Sequence, residues 1–223
     1  MTTIAIIPAR GGSKGIPKKN LSKIQGSSLL ERSINCATNA GIEHVYVSTD
    51  DHEIAEAAVS LNAKVIKRPS ELSGDTNSSE SAIIHALGEI LLQGDLLVSS
   101  VAFLQATSPF TRSVDLIRGM GMLTRDNSVF SAVPFHNFLW TQNADSWEPL
   151  GHAKNQRTMR QQLPPTVMET GNFYLFPVGS FLAQGTRFCN VPLPVLIDPL
   201  TTLQVDSPED LGLASKIAAI VES

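Results

Sequence analysis

Short apolar runs alternate along this chain with longer segments whose apolar residues recur on one helical face. Ile4 to Ile7 is a β-branched run ending at Pro8, which predicts a buried strand at 4–8 feeding the glycine-rich loop 9–17. Ser27 or Ser28 then caps a predicted helix that carries Leu29, Leu30, Ile34 and Ala37 on one side and stops at Gly41. A strand is expected at 45–48, a helix opened by Asp50 and Asp51 and running through Ile54, Ala55, Ala58 and Leu61, and a third strand around Val65 and Ile66. A helix at about 78–92, a strand at 101–105, a helix capped by Ser113 and a strand at 129–133 continue the alternation. Apolar strands separated by helices of this length predict βαβ units, hence an α/β fold with a mostly parallel central sheet and flanking helices. Ligands of such sheets sit beyond the carboxyl ends of the strands, so the loops at 9–20, 48–51 and 105–112 are expected to share one rim.

The rhythm breaks after Pro134. Residues 135–165 carry Trp140, Trp147, Pro149, Pro164 and Pro165 with no clear period. Aromatic residues outside the periodic core suggest an arm packed against another surface such as a second subunit, the alternative being a long loop folded onto its own domain. From Gly171 the run GNFYLF predicts a strand, followed by apolar stretches near 191–197, then LQVD and a closing helix over 208–221. Pro208 stands at the first helical position after Ser207, with Glu209 and Asp210 in the first turn, which suits a helix N-terminus. The division expected is one α/β domain over 1–134 and 166–223, interrupted by an arm at 135–165.

The composition of the 223 residues, 42% hydrophobic and 17% charged, is neither that of a disordered chain nor that of a membrane span. The longest charge-free run, 127–144, contains Pro134, His136 and Asn137 and would be a poor fit to lipid. The opening MTTIAIIPARGG lacks a basic segment ahead of its apolar stretch, so no signal peptide is expected. Cys36 and Cys189 imply neither a disulfide framework nor a cysteine-rich metal site, and a reducing cytoplasm is the plain expectation. A net charge of −4 argues against general nucleic-acid binding. The charge is unevenly spread, however: Arg10, Lys14, Lys18, Lys19 and Lys23 come before the first acidic residue, Glu31. That concentration suits a small polyanion such as a nucleoside triphosphate, although a run of this kind also serves as ordinary solvated surface.

The segment Arg10-Gly11-Gly12-Ser13-Lys14-Gly15 matches neither a Walker A loop nor GxGxxG. Its physics is related: glycines let backbone N–H groups turn toward an anion, and lysines bring point charges to phosphates. An ordinary strand-to-helix turn with surface lysines would read the same way. The five histidines, His44, His52, His85, His136 and His152, show no metal-ligand spacing and read as surface or packing residues, and Cys36 reads as core.

From this segment onward the chain resembles the N-acylneuraminate cytidylyltransferases, the synthetases of CMP-linked nine-carbon acidic sugars. The resemblance rests on PARGGSKGIPKKNL and continues, in order, through VSTDD at 47–51, RPSELSGDTNSS at 68–79, FLQATSPF at 103–110, RQQLPP at 160–165 and ETGNFY at 169–174. It implies a Rossmann-like three-layer nucleotidyltransferase fold with an arm that crosses to the partner of a homodimer. It implies transfer of CMP from CTP to a sialic-type 2-keto sugar acid, with pyrophosphate released and Mg²⁺, or Mn²⁺ in its stead, as cofactor. By position, Arg10, Gly11, Gly12, Ser13, Lys14, Lys19 and Asn20 fall on the loop that holds CTP, with Arg10, Lys14 and Lys19 expected to act in catalysis. Arg68 and Ser79 fall near the base and ribose, Gln105, Thr107 and Ser108 by the sugar acid, and Arg160, beside Gln161, on the arm where the family reaches the sugar carboxylate or phosphates.

The resemblance breaks at two places. The family's paired aspartates, D-x-D, bind Mg²⁺, but here the matching positions are Gln204 and Asp206. A neutral amide supplies no charge, so the metal is expected to rest chiefly on Asp206, whose alternative role is to cap the helix at Pro208. Thr170 stands where the family often has Asn. The rival acceptors are 3-deoxy-manno-octulosonate, pseudaminate and legionaminate, and the rival class is a catalytically silent relative that binds nucleotide.

Overall fold

The structure, a computed structural model, describes residues 2–13, 15–74, 77–94, 96–156 and 159–221. Its strands are β1 (Thr2–Pro8), β2 (Lys23–Ile24), β3 (Ser27–Ser28), β4 (His44–Thr49), β5 (Lys64–Lys67), β6 (Val98–Leu104), β7 (Asn127–Pro134), β8 (Leu139–Asn143), β9 (Ser146–Leu150), β10 (Val167–Pro177) and β11 (Val191–Leu196). The α-helices are α1 (Leu29–Asn39), α2 (His52–Ser60), α3 (Ser79–Gln93), α4 (Ser113–Met122), α5 (Val178–Gln184) and α6 (Pro208–Val221). Seven strands form one sheet in the order β11-β7-β10-β6-β1-β4-β5. Pairing is parallel throughout except for β10, which runs antiparallel to both β6 and β7.

Side chains alternate across a strand, and β1 shows the consequence. Ala5 and Ile7 join a core with Leu30 and Ile34 of α1, Ile54 of α2 and Leu116 of α4, while Ile4 and Ile6 join a second core with Ile83 and Leu87 of α3 and Phe181 of α5. Helices therefore cover both faces of the sheet, giving three layers. A third, smaller cluster under α6 holds Ile16, Ile24, Leu29, Phe110 and Val205, and so ties the end of the basic loop to the segment that carries Asp206.

Helix entries follow the residue chemistry. Ser28 and Glu31 form a capping box at α1, Asp51 accepts from the Ile54 amide at α2, and Ser78 accepts from the Ser81 amide at α3. At α4 the expected cap is displaced: Ser113 is the first helical residue, and Arg112 occupies the cap position without a side-chain cap. The Arg112 guanidinium instead holds the buried carboxylate of Asp115 at 2.9 Å. Burial raises the Cys36 thiol to about 12 and Cys189 is also buried, so both cysteines are packing residues.

Between β7 and β10 the chain leaves the sheet. Where no period was visible, β8 and β9 form an exposed antiparallel hairpin. The ring of His152 packs edge-on against Phe138 and Trp140, and its Nε2 lies 2.9 Å from the Leu139 carbonyl, so this histidine is a packing residue. Strand β10 starts earlier than GNFYLF, at Val167, because residues 167–169 pair with 132–134 before an irregularity shifts the register.

Candidate active site

The carboxyl ends of β1, β4 and β6 do meet at one rim. The Ala9 amide donates to the Ser48 carbonyl at 2.9 Å and the Gly11 amide to Asp50 Oδ1 at 3.0 Å, which seats the glycine-rich loop on the end of β4. Asn20 is 7% exposed and donates to the Arg10 carbonyl at 3.0 Å, closing that loop on itself. Arg68 is buried and donates to the Ser48 carbonyl at 2.5 Å and to its hydroxyl at 3.1 Å. Burial pulls its pKa down and the charge of Asp50 partly restores it, but a guanidinium stays cationic at any working pH.

A cleft of about 350 Å³ opens there. Arg10, Ser13, Lys19, Asn20, Arg68 and Ser79 line one side, and Gln105 and Thr107 line the other. Three cationic side chains thus converge on one concave surface. Lys19, little exposed, reaches Asp206 Oδ1 at 2.8 Å, which brings the carboxylate expected to serve a metal beside the glycine-rich loop. Gly15 has to be glycine, because a Cβ there would lie 2.3 Å from the Asp206 carbonyl oxygen.

Several expected residues stand elsewhere. Gly11 and Gly12 belong to the loop without lining the cleft, and the Gly11 amide is already given to Asp50. Ser108, expected to contact substrate, is 1% exposed; its hydroxyl donates to the Gly171 carbonyl at 3.3 Å and accepts from Gln204. It frames the wall from behind. Gln204, expected beside Asp206 as a ligand of the metal, directs its amide at Thr107, Ser108 and Thr170. Arg160 and Gln161 belong to a short 3-10 helix between β9 and β10, and Gln161 is not among the residues that line the cleft. Lys14 and the side chain of Arg160 lie outside the described residues. Thr170, at the position where the resemblance often implies Asn, is buried and donates to Ser131 Oγ at 2.9 Å, a packing role.

Sequence reasoning passed over Arg187. It is 8% exposed, donates to Glu80 Oε1 at 2.7 Å and to Ser79 Oγ at 2.6 Å, and lies over the rings of Phe103 and Tyr174 at 4.7 and 4.6 Å. A buried guanidinium thereby fixes the first turn of α3, where Ser79 faces the cleft. Burial alone would raise Glu80, but the hydrogen bond and charge of Arg187, with a backbone hydrogen bond, hold it below its ordinary value. No local motif announces Arg187, since its hydrogen-bond partners, Ser79 and Glu80, are more than a hundred residues away.

A larger cavity, about 500 Å³, lies by Arg32, Cys36, Phe110 and Val221. It draws none of its lining from the glycine-rich loop or the end of β1, so the smaller cleft is the stronger candidate for chemistry. Among the described residues no group of three or more His, Cys, Asp or Glu side chains could hold a metal by itself. Also among them, no helix is long and apolar enough to cross a membrane.

A mostly parallel sheet covered by helices on both faces, with a cationic cleft at its carboxyl rim, is the architecture of the nucleotidyltransferase-like fold. The chain belongs to the cytidylyltransferase family, whose model matches residues 4–174. It is 37% identical over 188 residues to N-acylneuraminate cytidylyltransferase A of Danio rerio, covering 81% of this chain and 42% of that protein. It is 29% identical over 221 residues to the pseudaminic acid cytidylyltransferase of Campylobacter jejuni, covering 96% of this chain and 95% of that protein. The chain thus spans less than half the length of its fish relative and nearly all of its bacterial one. A CMP:2-keto-3-deoxy-manno-octonic acid synthetase, solved with CTP, shares the fold at a TM-score of 0.72 and 18% identity, with 99% of each chain covered.

Proposed function

We propose that the protein transfers CMP from CTP to the anomeric hydroxyl of a nine-carbon acidic sugar, releasing pyrophosphate. The observation that carries this reading is the cleft itself, with Arg10, Lys19 and Arg68 on one side, Gln105 and Thr107 on the other, and Asp206 joined to Lys19. Attack of a hydroxyl on the α-phosphorus needs the phosphates neutralised and the nucleophile held in line. Arg10, Ser13 and Lys19 bind and orient the triphosphate, while Gln105 and Thr107 orient the acceptor. The chain needs no covalent nucleophile, because phosphoryl transfer is chiefly a matter of positioning and charge stabilisation.

The donor set fits Mg²⁺, or Mn²⁺, in one arrangement: the exposed carboxylate of Asp206 supplies a hard oxygen, with phosphate oxygens and waters supplying the rest. When bound, the ion supplies charge neutralisation at the phosphates. N-acetylneuraminate is the first acceptor to try. Pseudaminate is the second, on the strength of a relative matched along nearly its whole length. The reading includes a homodimer, supported by an arm that leaves Leu139, Trp140, Trp147 and Leu150 between 46% and 59% exposed. Light scattering should give about twice 24.0 kDa, and a mass of one chain would remove the dimer. A cytoplasmic setting suits two buried, unpaired thiols.

The test is pyrophosphate release from CTP with Mg²⁺ and, in turn, N-acetylneuraminate, pseudaminate, legionaminate and 3-deoxy-manno-octulosonate. Release with one or more of these acids is expected. None with any of them would leave a nucleotide-binding relative without transfer activity.

A further inference from the structure

Gln204 stands where the resemblance implies a metal ligand, yet its surroundings select an amide for a different reason. Its Oε1 accepts from Thr107 Oγ1 at 2.9 Å, and its Nε2 donates to Ser108 Oγ at 2.9 Å and to the Thr170 carbonyl at 2.6 Å. Both protons of the amide nitrogen are in use. The Thr170 carbonyl, which only accepts, fixes which way the amide points, because a flip would set two oxygens against each other. The nitrogen end can therefore face no cation. One residue on, the Val205 amide donates to the Thr107 carbonyl at 2.8 Å, so the 204–205 step clamps residue 107 through both side chain and backbone. The clamp is close-fitting. Gly171 has φ +74, and a Cβ there would come within 2.5 Å of Gln204 Nε2 and 2.7 Å of Gln105 Oε1.

We infer that Gln204 is a positioning residue that braces the wall formed by Gln105, Thr107 and Ser108 against the irregular step of β10 at Thr170 and Gly171, and that the metal is left to Asp206. The inference rests on the proposed transfer reaction, in which that wall orients the acceptor. Its chemistry also explains the missing carboxylate. An aspartate or glutamate at 204 would set a negative charge against the Thr170 carbonyl and lose a donor that Thr170 requires. The brace and the metal role thus predict opposite outcomes for the same substitution.

The experiment compares wild type with Gln204→Met, which keeps length without the hydrogen bonds, and Gln204→Asp, which restores the carboxylate. Two readouts are taken: the steady-state constants for acceptor, CTP and Mg²⁺, and amide hydrogen exchange at Ser108 and Val205 in the protein alone. Losing one net hydrogen bond corresponds to about fivefold, so the acceptor KM should rise by about fivefold or more in both variants. The CTP constant and the Mg²⁺ half-saturation should stay within about twofold, and exchange at Ser108 and Val205 should quicken by about fivefold or more. A Gln204→Asp protein that needs less Mg²⁺ with an unchanged acceptor KM would overturn the brace. So would exchange at Ser108 and Val205 unchanged in Gln204→Met. Exchange is read without substrate, so the brace is decided even if wild type transfers CMP to no acid offered, a result that would fall on the proposed function instead.

Discussion

The two walls of the cleft are built by different means. On the side of the basic loop, Arg10, Ser13, Lys19 and Asn20 come from one strand-to-helix connection seated on β4 by Asp50 and Ser48, while Arg68 and Ser79 are brought in from the block that follows β5. On the side of Gln105 the wall is assembled from segments far apart in the chain, 105–108, 170–171 and 204–206, joined through the side chains of Ser108 and Gln204. The first wall offers the charge that the proposed reaction needs at the phosphates. The second offers shape, held by hydrogen bonds that no substrate needs to touch. Substitutions should therefore act on turnover in the first wall and on acceptor affinity or stability in the second.

The largest effect is expected at Lys19. Lys19→Ala removes a cation proposed to hold the triphosphate, and loss of a single electrostatic stabiliser typically lowers turnover by about 10²–10³-fold. Its melting temperature should change little, because the carboxylate it leaves behind, on Asp206, is mostly in water. A kcat near wild type would break the contrast between the walls. Arg187→Leu should do the reverse. Removing a cation from a largely buried pair should destabilise by about 2–3 kcal/mol, a melting point lower by about 4–12 °C for a chain of this length.

That pair also has a pH signature. Glu80 is held below its ordinary value of 4.5, so the stability it contributes is present above that value and is lost as the pH falls through the depressed one. Urea unfolding should show wild type and Arg187→Leu converging on acidification, and a gap that stays constant would remove Glu80 as the partner that matters. The smallest effect is expected for Asp206→Asn, which should raise the Mg²⁺ half-saturation by about threefold to tenfold, since one of the one or two carboxylates the ion uses is gone. An unchanged metal requirement would make Asp206 a structural partner of Lys19.

The same contrast explains what could be read from the chain beforehand. Strand β1, helices α1 to α3 and the rim shared by three loops were legible, because apolar period, caps and the glycine-lysine loop are local signals. The opposite direction of β10 was not, since GNFYLF reads as a buried strand in either sense. The hairpin of the arm escaped because both its strands are exposed and carry no apolar face toward the core. Ser113 looked like a cap, but the buried Asp115 draws Arg112 into that position. Ser108 and Gln204 matched site positions by alignment of motifs, yet their hydrogen bonds depend on where residues 170 and 171 lie, which no motif encodes. Arg187 was invisible for the same reason.

The central claim, cytidylyl transfer from CTP to an acidic sugar, is tested most directly by the product. Mass spectrometry of a reaction with CTP, Mg²⁺ and the acceptor that releases most pyrophosphate should find a CMP-sugar conjugate formed in step with the pyrophosphate, and little conjugate when UTP replaces CTP. Pyrophosphate appearing with free CMP and no conjugate, or no product with any acid sugar, would contradict the account.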